Sequence, residues 1–118
     1  MLGSKKFLVN YFDNLFIKRD LSTLDKYLDK NHFDYDIGFS SKDHTANSKQ
    51  YLSELFIRKP TIRVKVLKTK TIKNVICAQL RWYETINKKE IVWQEGIATF
   101  LIQNNKMFYM HTNCFSTI

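Results

Sequence analysis

The chain has one proline, three glycines and two cysteines in 118 residues, and each scarcity excludes something. With so little glycine and only Pro60, there is no stretch that would serve as a flexible linker. One domain spanning residues 1–118 is therefore expected. Cys77 and Cys114 make no CxxC pair and both fall in predicted strands, which excludes a zinc ribbon or a disulfide scaffold. A reduced, cytoplasmic protein is the expectation. No apolar run approaches the length that spans a bilayer, so no membrane partner is expected. Residues 1–6 lead into an amphipathic pattern rather than an unbroken apolar one, so no signal peptide is expected. Acid is missing from two long stretches: there is none between Leu55 and Tyr83, and none after Glu95. The first of these carries Arg58, Lys59, Arg63, Lys65, Lys68, Lys70, Lys73 and Arg81, a large share of the net charge of +8. Such a field attracts anions without choosing among them, so a solvated strand face is expected and nucleic acid is not. Phosphate loops, GxSxG elbows and zinc-ligand spacings are also lacking.

What is present is apolar patterning. Hydrophobic residues at 44% and aromatics at 14% suffice for one real core. Phe7, Leu8, Tyr11, Phe12, Leu15 and Phe16 form a single stripe of a helix over residues 4–18. Asp20 is placed to cap a shorter helix whose buried side is Leu21, Leu24, Tyr27 and Leu28. Residues 32–39 alternate strictly, with Phe33, Tyr35, Ile37 and Phe39 on one face and His32, Asp34, Asp36 and Gly38 on the other. A polar loop over 40–48 follows. Asn47 and Gln50 resemble a capping box opening a third helix, with Tyr51, Leu52, Leu55 and Phe56 as its stripe and Pro60 as its stop. Then come four strands. Ile62, Val64 and Val66 alternate with Arg63 and Lys65, and a turn is predicted over 69–74. Strands at 75–84, 90–103 and 106–117 are joined by tips at Asn87–Lys89 and Asn104–Asn105. This order reads as an α+β fold: a cone-shaped, curved antiparallel sheet covered by three N-terminal helices around a pocket.

Two stretches carry a family likeness. Tyr11-Phe12-Asp13-Asn14-Leu15 followed by Asp20-Leu21-Ser22-Thr23-Leu24 resembles the "YF…GDLD.L" opening of the SnoaL-like and ketosteroid-isomerase-like branch of the nuclear transport factor 2-like superfamily, with Arg19 where glycine is usual. The segment from Gly96 to Met107 resembles that branch's "V.F.F.DGKI" hairpin. The likeness covers nearly the whole chain and implies one SnoaL-like domain, a cystatin-like α/β roll. It specifies fold better than activity, since such folds host isomerases, cyclases, dehydratases, epoxide hydrolases and pure binding modules.

The same resemblance implies candidate chemistry. Asp36, sixteen residues after Asp20, falls where ketosteroid isomerases hold a general base, and a carboxylate in an apolar cone is suited to abstract a proton beside a carbonyl. The strand's own alternation turns Asp36 outward, and a bulge would reverse that. The family's helix-one tyrosine falls at Tyr11 or Phe12, so Tyr11 is the candidate oxyanion donor. Its acid on the third long strand falls near Ala98, which cannot serve. His32, Asp34 and Asp36 share a strand face without a fourth ligand, so no metal and no cofactor are expected. The expected pocket lining is Phe12, Leu80, Trp82, Gln94, Ala98, Phe100, Phe108, Met110 and Cys114, which suits a small hydrophobic ligand. An isomerase, cyclase or dehydratase using Asp36 is the alternative. Outward alternation gathers Tyr83, Trp93, Ile97, Tyr109, His111 and Phe115 on the far side of the sheet. A homodimer packed sheet against sheet, or a protein-interaction module, follows from that face.

Overall fold

A computed structural model gives the architecture, and it describes residues 3–34 and 44–117. Helix α1 (Ser4–Phe12) runs on into a π-helical segment, Asp13–Ile17, then α2 (Thr23–Tyr27) and strand β1 (Leu28–Asp34). Helix α3 (His44–Arg58) precedes β2 (Arg63–Ile72), β3 (Val75–Ile86), β4 (Lys89–Gln103) and β5 (Lys106–Thr117). The five strands make one sheet in the order β1-β5-β4-β3-β2. β2 to β5 form the expected antiparallel meander, whereas β1 pairs parallel with β5 and makes the sheet mixed.

The first helix is regular only to Phe12. Beyond it the Lys18 N–H reaches back to the Asp13 carbonyl at 3.0 Å, closing a wider π turn. The stripe survives this change: Phe7, Leu8, Tyr11, Phe12, Leu15 and Phe16 are all buried. Full burial of a leucine such as Leu8 or Leu15 stabilises the fold by about 1.5–3 kcal/mol. Edge and tilted ring contacts link Tyr11 to Phe12, Phe12 to Phe16 and Phe16 to Phe56, with Phe100 of β4 meeting Phe12. Arg19, where glycine is usual, has φ 58°, a backbone conformation that glycine enters most easily. Its side chain offsets that strain. The guanidinium stacks 3.8 Å over Phe56 and Nη2 donates to the Pro60 carbonyl at 2.6 Å. Asp20 then accepts from the Ser22 backbone N–H at 3.0 Å and from its hydroxyl at 2.5 Å, turning the chain into α2.

Several boundaries differ from those expected. Leu28 opens β1 rather than closing α2, and the remainder of the alternating run, residues 35–39, lies outside the described residues. α3 begins at His44, so Asn47 lies within the helix and does not cap it. Ser48 is the reason: its small side chain is buried four residues before Leu52, extending the apolar stripe through what reads as a polar loop. β2 continues to Ile72, leaving only Lys73–Asn74 as the turn. It can do so because Leu67 and Lys68 together stand opposite Gln79, a bulge that resets the alternation. Lys68 and Lys70 thereby stay on the face of Lys65, while Thr69 and Thr71 join Val64 and Val66 toward the helices.

Candidate functional site

Between the helices and the sheet lies a cavity of about 280 Å³. α1 and its π segment contribute Tyr11, Phe12, Leu15 and Phe16, and α2 contributes Leu24. Ser48, Leu52 and Leu55 of α3 line it at i, i+4 and i+7, and Lys59 just past the helix continues the row. The sheet supplies Leu80, Trp82, Trp93, Gln94, Phe100, Met110 and Thr112. Both tryptophans of the chain therefore face this one space.

Trp93 gets there by a bulge. In β4, Trp93 and Gln94 together oppose Trp82, and pairing resumes at Val92 with Tyr83. One extra residue turns a side chain that simple alternation sends outward. Once inside, the indole Nε1–H donates to Glu84 Oε1 at 3.0 Å, and the Lys59 ammonium lies 3.7 Å over its ring. Glu84 is 6% exposed. Its other oxygen accepts from the Thr61 hydroxyl at 2.5 Å and the Thr61 backbone N–H at 3.1 Å. These hydrogen bonds, that from the Thr61 hydroxyl first, hold the Glu84 carboxyl below its usual range despite the opposing effect of burial. Arg19, with Arg63 and Glu84 near it, is pushed below the usual arginine range, chiefly by burial and then by Arg63. Arg63 itself donates to the Phe16 carbonyl at 2.9 Å. Behind the Lys59 and Trp93 end of the cavity there is thus a buried carboxylate with Lys59 and Arg19 near it, and Arg63 beside Arg19. At α3's first turns Ser48 is 2% exposed, and its Oγ has no hydrogen-bond partner.

No protein-family model matches the chain, and no curated protein matches it in sequence. Solved structures do match in three dimensions. A SnoaL-like polyketide cyclase from Agrobacterium tumefaciens superposes with a TM-score of 0.75, covering 98% of this chain and 93% of that one at 12% identity. The chain has the SnoaL-like fold. A candidate polyketide cyclase from Acidithiobacillus ferrooxidans shares it at TM-score 0.75 and 13% identity, with 97% and 90% of the two chains covered. So does an uncharacterized cystatin-fold protein from Novosphingobium aromaticivorans, at TM-score 0.72 and 9% identity over 96% and 99%. At such identities the likeness is one of fold.

Within this SnoaL-like fold the expected site residues are placed as follows. Tyr11, Phe12, Leu80, Trp82, Gln94, Phe100 and Met110 meet at the cavity. Ala98 is buried in the sheet but does not line the cavity, its methyl being too short to reach past its neighbours. Phe108 does not line it either. A bulge sets Leu101 opposite Tyr109 and Ile102 opposite Met107, so Phe108 is the extra residue and Met107 is the one fully buried. Asp36 lies outside the described residues, as do the side chains of Cys114, Phe115, His32 and Asp34. Among the described residues no Asp or Glu lines the cavity, and no cluster suited to a metal ion occurs. On the sheet's other face Ile97 is 47% exposed, with Tyr83, Tyr109 and His111 half-buried. Trp93 does not belong to that face. The basic run is partly answered there, since Lys65 pairs with Glu90 at 2.8 Å and Arg81 with Glu90 and Glu95 at 3.5 and 3.4 Å. Among the described residues no helix is long and apolar enough to cross a membrane.

Sequence reasoning missed Ser48, Lys59, Glu84 and Trp93. Ser48 carried a signal, its spacing of four from Leu52 and seven from Leu55. Lys59 carried the same signal, four from Leu55 and seven from Leu52, whereas Glu84 carried none, because β3 brings it to the end of α3 only in the folded chain.

Proposed function

We propose that the protein binds a small, mostly apolar molecule between its helices and its sheet. The observation that carries this reading is the cavity itself, about 280 Å³ with walls that are largely aliphatic and aromatic. A neutral fluorophore, 1-aminoanthracene, tests it. Saturable binding of one probe per chain, with quenching of the tryptophan emission, is expected; no saturable binding would end the proposal. A cyclase, isomerase or dehydratase role is the second reading, favoured by Tyr11, a cavity-lining residue that is 4% exposed. Asp36 would be its base. Binding takes precedence because the described walls are largely apolar. Pairing of two copies through the face around Ile97, in a cytoplasmic protein with Cys77 reduced, completes the proposal.

A further inference from the structure

Beside Tyr11, Tyr51, Gln94 and Thr112, the cavity's lining holds two polar groups at opposite ends of one helix face, Ser48 and Lys59. Ser48 and Lys59 are eleven residues apart, so their Cα atoms are separated by about 16 Å along α3 and its extension. Helical side chains lean toward the N-terminus, so the long lysine stem shortens the gap between the two polar heads. Leu52 and Leu55 lie between them, with Phe16, Trp82 and Phe100 among the residues lining the same space. The two ends differ in what they offer.

At the Lys59 end the charges do not balance. Glu84 is the one acid described there, and its oxygens already accept from Thr61 and from Trp93. No carboxylate lies within ion-pair distance of Lys59 among the described residues, and its ammonium is stacked on an indole instead. Arg19, which has Glu84 and Arg63 near it, adds positive charge behind this end. An ammonium presented to a largely apolar space beside net positive charge favours an anion over a neutral or cationic group. At the other end Ser48, one of the lining residues, holds a hydroxyl that is nine-tenths and more buried and has nothing to bond. A buried hydroxyl left unpaired is costly, and a ligand oxygen would remove that cost.

We infer that the ligand is an amphipathic monoanion, an apolar ring-sized body whose carboxylate lies on Lys59 and whose far end carries an oxygen for Ser48. This rests on the binding proposal above and narrows it to a class of molecule. Neither polar group alone would define that class. Together they set its direction, acid toward the Trp93 bulge and second oxygen toward the start of α3.

Three transparent probes test the inference: 4-cyclohexylbutanoate, its neutral amide, and the acid bearing a 4-hydroxyl on the ring. Calorimetry gives the affinities, and tryptophan emission reports on this site alone because both tryptophans line it. The acid is expected to bind about tenfold tighter than the amide, a preference that shrinks with added salt. Lys59→Met, which keeps the stem and removes the charge, is expected to abolish the preference. The hydroxylated acid should gain about fivefold over the plain acid, and Ser48→Ala should erase that gain. Equal binding of acid and amide by the unaltered protein overturns the inference while leaving the cavity reading standing. So does a preference that persists in Lys59→Met, or a hydroxyl that gains nothing. If neither the acid nor the amide binds and 1-aminoanthracene also fails, both readings fall together.

Discussion

Replacing Glu84 with glutamine keeps the side chain's shape and changes what it can accept. In the native protein one oxygen takes the Thr61 N–H and hydroxyl, and the other takes the Trp93 indole N–H. A glutamine has one oxygen and one NH2 group, so it can serve one side only. Whichever way it turns, an N–H donor faces another donor in a place that is 6% exposed. Leaving such a donor unsatisfied costs about 1–3 kcal/mol, and the remaining bonds lose their charge assistance. Glu84→Gln is therefore expected to destabilise the fold by about 2–3 kcal/mol at pH 7, a fall of roughly 10 °C in Tm for a domain of this size. The loss must also depend on pH. The native carboxyl is held below its usual value near 4.5, so its stabilisation is fully present above that value. It disappears as pH falls through the lower folded value. Asp20, held low chiefly by the Ser22 hydroxyl, and Glu90, held low chiefly by Lys65, make both proteins acid-sensitive alike and drop out of the difference. Thermal melts of the two proteins from pH 8 to pH 3 should show a gap that is constant at neutral pH and closes below 4.5. A variant that melts within about 2 °C of the parent at pH 7, or a gap independent of pH, would refute the role given to Glu84.

Two further outcomes are expected. Lys88 has φ 65° in the two-residue turn between β3 and β4, so Lys88→Gly should raise stability by about 0.5–1 kcal/mol in urea titrations. An unchanged or lowered midpoint would show that the turn is not strained. If two copies pair through the sheet, Ile97→Glu should convert a dimer to a monomer in sedimentation velocity at micromolar concentration; a native protein that sediments as a monomer removes that proposal.

Local signals made much of the fold legible. The stripe from Phe7 to Phe16 marks a helix whether its last turn is α or π, because both keep those side chains on one side. Asn104–Asn105 is readable as a turn because asparagine tolerates the positive φ that both residues adopt, 53° and 62°. What escaped was phase and distance. Alternation predicts the faces of β3 well, from Ile76 to Trp82, since the bulge beside it takes its extra residue from β4. It fails at Trp93 and Phe108, where one added residue reverses the count. The parallel pairing of β1 with β5 joins segments far apart in sequence, and no local pattern encodes it. The charged end of the cavity escaped for the same reason, being assembled from Arg19, Lys59, Arg63 and Glu84 on four separate segments.

The bulge at Trp93 has an evolutionary corollary. Since Trp93 and Gln94 share one partner, removing Trp93 would leave Gln94 opposite Trp82 and Val92 opposite Tyr83, a regular ladder with every other side chain on its present face. A single-codon deletion would thus erase the indole that carries Lys59 and bonds Glu84, while the sheet kept its pairing. The reverse step, one inserted codon, would create such a wall in a sheet that lacked it. In a scaffold of this kind, binding chemistry can be acquired or discarded by changing the length of a strand rather than the identity of its residues.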